Sequence, residues 1–314
     1  MTSIAEHIAI EQKEDGLFVC KRPPERMGNA APIAYGGYAI AAAIHSACSA
    51  APDDFHLYSV MGHYLRPAST DQKLFCRVTE TRRSASFITY QLSVDQAQAD
   101  GKMRCCAQVL ADFHREEPSI LTYSAKPTRE YSHWSKCLSW KDKLGKEASA
   151  AATAAYNKMF GLAERLYELR PCPEGISSQN MMGYMKTFKT TQDHLSPEAK
   201  TSADWVRIHG PLSTRGEHLA SLGFFMDGAL SFLPLTQNHM FLDDAAACSS
   251  LDFALRIFTP DVSMTDWNLR EFTSHSSAHG RTYSESRLWG EDGTIIASMS
   301  QQSILRVPKK MAKI

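Results

Sequence analysis

The chain repeats itself, and the repeat limits what it can fold into more than any other feature. Leu57 to Pro67 (LYSVMGHYLRP) lies on Ser250 to Pro260 (SLDFALRIFTP), matching in length, apolar character and closing proline. The same step onward from each proline reaches Ala85 in RRSASF and Ala278 in SSAHGR. After one residue of slippage, DGKMRCCAQVLADF falls on DGTIIASMSQQSIL, and each half reads as a strand, a D-G turn and a strand. A helix precedes each block, Gly37 to Ser49 in the first half and about Gly216 to Phe232 in the second. Each unit is therefore a helix followed by long antiparallel strands, an α+β arrangement in which one curved sheet wraps one helix.

The first helix opens on Gly36 and Gly37 and then shows little bulkier than alanine (YGGYAIAAAIHSACSA). A helix enclosed by a curved sheet needs such small residues. The glycines mark a close approach of backbone to a neighbour or a ligand. A helix N-terminus also offers unpaired N–H groups and the positive end of a dipole. Tight packing and open amides are both readings of Gly36 and Gly37. The texture changes between the repeats, where SWKDKLGKEASAAATAAYNKMFGLAERLYELRPCPE mixes charge with alanine and stops at prolines. It reads as one or two connecting helices. The expected boundaries are 1–116 for the first unit, 117–180 for the connecting segment and 181–314 for the second.

Lysine plus arginine equal aspartate plus glutamate at 34 each, so no basic footprint for nucleic acid exists. No apolar run approaches the length of a membrane span, and the first fifteen residues are too polar for a signal peptide. The eight cysteines show no C-x-x-C spacing, and reduced thiols are expected. There is no G-x-S-x-G elbow, P-loop, G-x-G-x-x-G or H-E-x-x-H, so neither a metal nor a cofactor is expected.

The halves differ where chemistry needs them to. Ser250 takes the place of Leu57, Gln301 that of Val109, and Asp227 sits in the apolar helix LGFFMDGALSFL, whose counterpart has no acid. Asp227 reads either as a residue on the exposed side of its helix or as a carboxylate buried among Phe224, Phe225, Leu230 and Phe232, and Gln301 either as a solvent-facing strand residue or as its partner; a buried carboxylate is costly unless it is hydrogen-bonded. A hydroxyl and a carboxamide brought to it offset that cost and hold a water.

YGGYAIAAAIHSA, SVMGHYLRP and RRSASF in the first half, with LGFFMDGALSFLPL, SSLDFALRIF, SSAHGR and DGTIIASMSQQSILR in the second, resemble the type II (TesB-like) acyl-CoA thioesterases. The resemblance covers most of the chain outside the connecting segment. It implies a double hotdog fold, two units each with a long helix wrapped by an antiparallel sheet. It also implies hydrolysis of acyl-CoA or a related acyl thioester, with Asp227, Ser250 and Gln301 positioning the attacking water. Serine stands where threonine is usual, RRSASF replaces an Arg-Asp-Gly pattern, and SSLD lacks the His and Trp that commonly follow. The same scaffold serves an acyltransferase or cyclase of a natural-product pathway, or a non-catalytic acyl-thioester binder. Gly36, Gly37, His63 and Arg82 are the expected substrate-binding residues. His63 reads as a core histidine or as pocket lining. Lys73, Arg82 and Arg83 read as phosphate contacts for CoA or as a solvated basic face. Open sheet edges predict a homo-oligomer, at least a dimer. The final Ala312-Lys313-Ile314, preceded by Lys309 and Lys310, resembles a peroxisomal address, with a cytoplasmic enzyme as the alternative.

Overall fold

The computed structural model describes residues 2–28, 31–98 and 100–308. Lys309, Lys310 and the tripeptide Ala312–Ile314 lie outside the described residues.

Among the described residues twelve strands form one antiparallel sheet whose order mirrors about its centre. The first half contributes β1 (Ile10–Glu14), β2 (Leu17–Cys20), β3 (Phe55–Tyr64), β4 (Leu74–Arg83), β5 (Phe87–Ala97) and β6 (Met103–Arg115). The second contributes β7 (Tyr167–Pro171), β8 (Thr201–Ile208), β9 (Ala247–Ile257), β10 (Asn268–Ala278), β11 (Arg281–Gly290) and β12 (Ile295–Arg306). The order is β1-β2-β4-β5-β6-β3-β9-β12-β11-β10-β8-β7, so the halves join where β3 pairs with β9, with Val60 opposite Leu255. This is the double hotdog arrangement. The D-G turns form as expected, with Gly101 and Gly293 at φ of +76° and +82°, the left-handed values for which glycine carries no steric cost.

Two central helices lie against each other inside the sheet. The first, Gly37–Ala50, buries ten of its fourteen residues, chiefly alanines. The second, Arg215–Met226, starts at a capping box in which the Thr214 side chain accepts the Glu217 N–H and the Glu217 carboxylate reaches back. The helices approach closely at Gly223, where a Cβ would stand 2.5 Å from Ile44 Cδ1 and 2.8 Å from Ile40 Cγ2. Small residues on both helices make that distance possible.

Three expectations change. The second helix ends at Met226, so Asp227 is its C-cap rather than an interior residue. Gly228 and Ala229 then break the path, Ala229 at φ +80°. The connecting segment holds helices Trp140–Glu147 and Ala150–Leu166, but the second unit's sheet begins at β7, before residue 181. Glu168, Leu169 and Arg170 favour helix locally, yet Tyr167, Leu169 and Pro171 bury alternately against the core once β8 is there to pair with. Finally, Gln301 corresponds to Ala111 rather than Val109. Leu57 pairs with Phe113 and Ser250 with Ser303, each next to a bulge, which makes Ser250 equivalent to Leu57 and sets Gln301 on Ala111. The first-half hairpin is two residues longer between its turn glycine and the bulge at Cys106 (Gly101 to Cys106 against Gly293 to Ile296). An even slip keeps the same face of the strand inward, so an apolar residue still faces the core where Gln301 does.

Candidate active site

Asp227 is 5% exposed and is held by both halves of the chain. Gln301, from the centre of β12, donates Nε2–H to Asp227 Oδ1 at 2.5 Å. Tyr64, at the end of β3, donates its hydroxyl to the same oxygen at 3.2 Å. Ser250 on β9 donates its hydroxyl to Gln301 Oε1 at 3.2 Å. Ser250, Gln301 and Asp227 thus form a chain of directed hydrogen bonds, and the amide orientation of Gln301 follows from having one donor and one acceptor to satisfy. Burial pushes the Asp227 carboxyl up to about 6, while the hydrogen bonds from Gln301 and Tyr64 favour its ionised form. The result is a buried acid that is largely ionised at neutral pH and still basic enough to take a proton.

The other Asp227 oxygen, Oδ2, faces Gly36. A Cβ at Gly36 would lie 2.9 Å from Oδ2 and 2.8 Å from Tyr64 Oη, so only glycine leaves this space open. Tyr35 donates its hydroxyl to Phe224 O at 2.7 Å, tying the entry of the first helix to the exit of the second. Arg270 on β10 holds the same exit. Its Nη1 donates to the carbonyls of Phe225 at 2.9 Å and Gly228 at 3.3 Å, on either side of Asp227. Its Nε and Nη2 bind both oxygens of Asp204.

Asp227, Tyr64, Gly36 and Ser250 line a cavity of about 960 Å³, at the upper end of the range for small-molecule sites, roughly 300–1,000 Å³. The connecting helices wall it with Trp140, Tyr156 and Phe160, and the turn after Asp227 adds Phe232. Arg66 stands exposed on the lining.

Asp227, Ser250 and Gln301 therefore meet, and Gly36 joins them. Gly37 is buried beside them, its N–H turned to the carboxylate. Gly36 N–H has no partner among the described residues. His63 is neither core nor pocket: it is exposed on the outer face of β3, one residue before the strand end that turns Tyr64 inward. Arg82 is exposed, 5.5 Å over the Phe87 ring and outside the cavity lining. Arg83 pairs with Glu80. Tyr64, Arg66, Asp204 and Arg270 were not among the expected site residues. Tyr64 and Arg66 belong to the YLRP stretch that marked the repeat, whereas nothing in the sequence joins Asp204 to Arg270.

Among the described residues no helix is long and apolar enough to cross a membrane. No curated protein matches the sequence significantly. Similar solved structures include an acyl-CoA thioesterase II, TesB2, from Mycobacterium marinum, 18% identical over 98% of this chain and 99% of that one, TM-score 0.69. A tesB protein of Mycobacterium avium subs paratuberculosis is 14% identical over 96% and 98%, TM-score 0.69. A thioesterase II, described as putative, from Thermobifida fusca is 14% identical over 97% and 98%, TM-score 0.68. At these identities the likeness speaks for the fold. The sequence itself matches the model of the acyl-CoA thioesterase N-terminal domain over residues 23–114 and that of the C-terminal domain over residues 158–305. With both domain models matched in order along one double hotdog chain, this protein belongs to the acyl-CoA thioesterases, hydrolases of the acyl-CoA thioester bond.

Proposed function

We propose that Asp227 is the general base of this hydrolysis and that Ser250 and Gln301 orient the water it activates. The observation that carries this reading is the buried carboxylate itself, with Oδ1 engaged by Gln301 and Tyr64 and Oδ2 facing the space that Gly36 leaves. A water in that space gives one proton to Asp227 as its oxygen attacks the thioester carbon. Because the Ser250 hydroxyl spends its proton on Gln301 Oε1, its lone pairs are available to accept the second water hydrogen. The unpaired Gly36 N–H and the positive end of the first helix stabilise the charge that develops on the carbonyl oxygen. When the carbon–sulfur bond breaks, the proton on Asp227 passes to the departing thiolate, which restores the base. A positioned base supplies about 10²–10⁴-fold in rate. Arg66 is the cationic group best placed on the cavity wall for a CoA phosphate.

The test is a panel of acyl-CoA esters with mass spectrometry of the products. Free acid and CoA support hydrolysis. An acyl-transfer or cyclised product, or binding without turnover, refutes it; the motif-level alternatives are not favoured by the family match.

Two further readings belong to the same proposal. Met61 and Leu110, cross-strand neighbours on the outer face of the sheet, are 38% and 41% exposed, and two chains associate through this face, since β1 at the sheet edge carries Glu11, Lys13 and Glu14. A species of only 35 kDa in light scattering at micromolar concentration refutes the association. The Ala312-Lys313-Ile314 tripeptide is proposed as a peroxisomal address, which would place the enzyme in peroxisomal lipid metabolism. A fluorescent fusion that keeps the tail and stays diffuse removes that reading.

A further inference from the structure

The cavity wall is not apolar throughout. Asp204 on β8 and Arg270 on β10 are cross-strand neighbours, and both line the cavity. Arg270 spends four of its five N–H groups, its Nε and one Nη2–H on Asp204 at 3.1 and 2.9 Å and its Nη1 on two backbone carbonyls. It is also sandwiched by rings, with its Cζ 3.6 Å from the Phe225 centroid and 4.2 Å from that of Phe272. Asp204 is not saturated. Each of its oxygens takes one N–H from Arg270, and a carboxylate has about four lone-pair sites. Its side chain keeps 12% of its surface, on the cavity side.

A second orphan lies nearby. Tyr167, the first residue of β7, is 2% exposed and lines the same cavity, and its hydroxyl, itself sealed from solvent, has no hydrogen-bond partner among the described residues. It is close enough to Arg270 to feel the guanidinium charge. A cavity that takes only hydrocarbon is served at least as well by apolar residues in place of a buried ion pair, and an unpartnered buried phenol is costly. Aromatic walls with unspent polar groups on them fit a ligand that is apolar overall and carries a hydrogen-bond donor.

We infer that the acyl group this cavity accepts bears a hydroxyl or N–H that donates to Asp204 within reach of the Tyr167 hydroxyl, so that the preferred substrates are hydroxylated acyl thioesters rather than plain saturated ones. The inference rests on the thioesterase reading above. One guanidinium joins Asp204 to the turn that carries Asp227, so the donor sits along the acyl chain inside the chamber and not at its mouth.

The test compares octanoyl-CoA with 3-, 5- and 7-hydroxyoctanoyl-CoA on the whole chain, reading kcat/KM from released CoA and free acid. At least one hydroxylated ester is expected to exceed octanoyl-CoA by about tenfold or more, the scale of a hydrogen bond to a charged group. Asp204→Asn and Tyr167→Phe are then measured on both members of that pair, and each lowers the ratio. Tyr167→Phe removes a single oxygen that bonds nothing among the described residues, so it reports even where Asp204→Asn folds poorly. Octanoyl-CoA turned over as fast as all three hydroxylated esters overturns the inference while leaving the hydrolase intact. So does a ratio that survives both substitutions. No free acid from any ester overturns the hydrolase reading and this one with it.

Discussion

Gly36 and Gly37 are adjacent, yet the structure gives them different work, and an alanine at each separates the two. At Gly36 the backbone has φ −58° and ψ −34°, ordinary helical values that alanine adopts more readily than glycine, a gain of about 0.4–1 kcal/mol through the unfolded chain. Against this, the new Cβ meets Tyr64 Oη at 2.8 Å and Asp227 Oδ2 at 2.9 Å. Both oxygens must move, at an overpacking cost of about 1–3 kcal/mol. The net destabilisation is small, about 1–2 kcal/mol, and the fold survives. Activity does not, because the methyl occupies the space that Oδ2 of the base faces. The expected loss is about 10²–10⁴-fold in kcat, the contribution of a positioned base. At Gly37 the Cβ meets Phe224 O at 2.6 Å and the ring of Tyr35. The carbonyl belongs to the second helix and cannot retreat alone, so Gly37→Ala costs about 3 kcal/mol or more in stability. The assay pairs urea melts with kcat/KM per folded molecule. Gly36→Ala with near-normal turnover refutes the placement of the water, and identical behaviour of the two variants refutes the division of labour.

Asp227→Asn should keep the fold and lose about 10²-fold or more in kcat; near-normal turnover moves the base elsewhere. Its stability should depend on pH in a defined direction. Burial raises the Asp227 carboxyl to about 6 from its ordinary 3.8, so the native state holds the extra proton between those values. Wild-type stability is then fully present below about pH 4 and falls as pH rises to about 6, by at most about 3 kcal/mol. Asp227→Asn lacks this decline, so melts at pH 4 and pH 8 differ less in the variant; an equal difference refutes the assignment. In kinetics, kcat/KM should fall as pH drops through about 6, and Tyr64→Phe, which deletes a donor to the carboxylate, should move that limb up by about one pH unit. An unmoved limb means that Tyr64 does not act on the base. Ser250→Ala and Gln301→Ala should each lower kcat, with the double variant costing less than the two combined, since both orient one water; strict additivity refutes a shared water. Leu57→Ala, at the first-half counterpart of Ser250, should cost about 2–5 kcal/mol in stability and activity only as folded protein is lost.

The fold was legible because it is written twice. A helix, a strand ending in proline and a D-G hairpin recur at a constant step, and each carries a local signal of its own: small residues for an enclosed helix, alternation for a half-buried strand, glycine at positive φ for the turn. The polar-for-apolar exchanges at Asp227, Ser250 and Gln301 were legible for the same reason, since the first half supplies an internal control. Where the control failed, the cause was local. The hairpin at Gly101 is longer than that at Gly293, which displaced the partner of Gln301 by two residues. The helix through Asp227 read as continuous because Leu230 and Phe232 keep an apolar pattern past Gly228.

Sequence alone thus determined the elements, their duplication and the residues that depart from it, because propensity, periodicity and turn chemistry act between neighbours along the chain. Tertiary structure decided which groups meet. It ended the helix at Met226 by giving Arg270 the carbonyls of Phe225 and Gly228 to hold. It turned Tyr167–Pro171 from a helix tail into a strand by offering β8 as a partner. It brought Tyr64 163 residues along the chain to Asp227, left His63 in solvent, and set Asp204 and Arg270 together in the cavity wall. The energies of these contacts depend on desolvation and on exact distance between segments far apart in sequence, and neither exists until the two halves have closed around their helices.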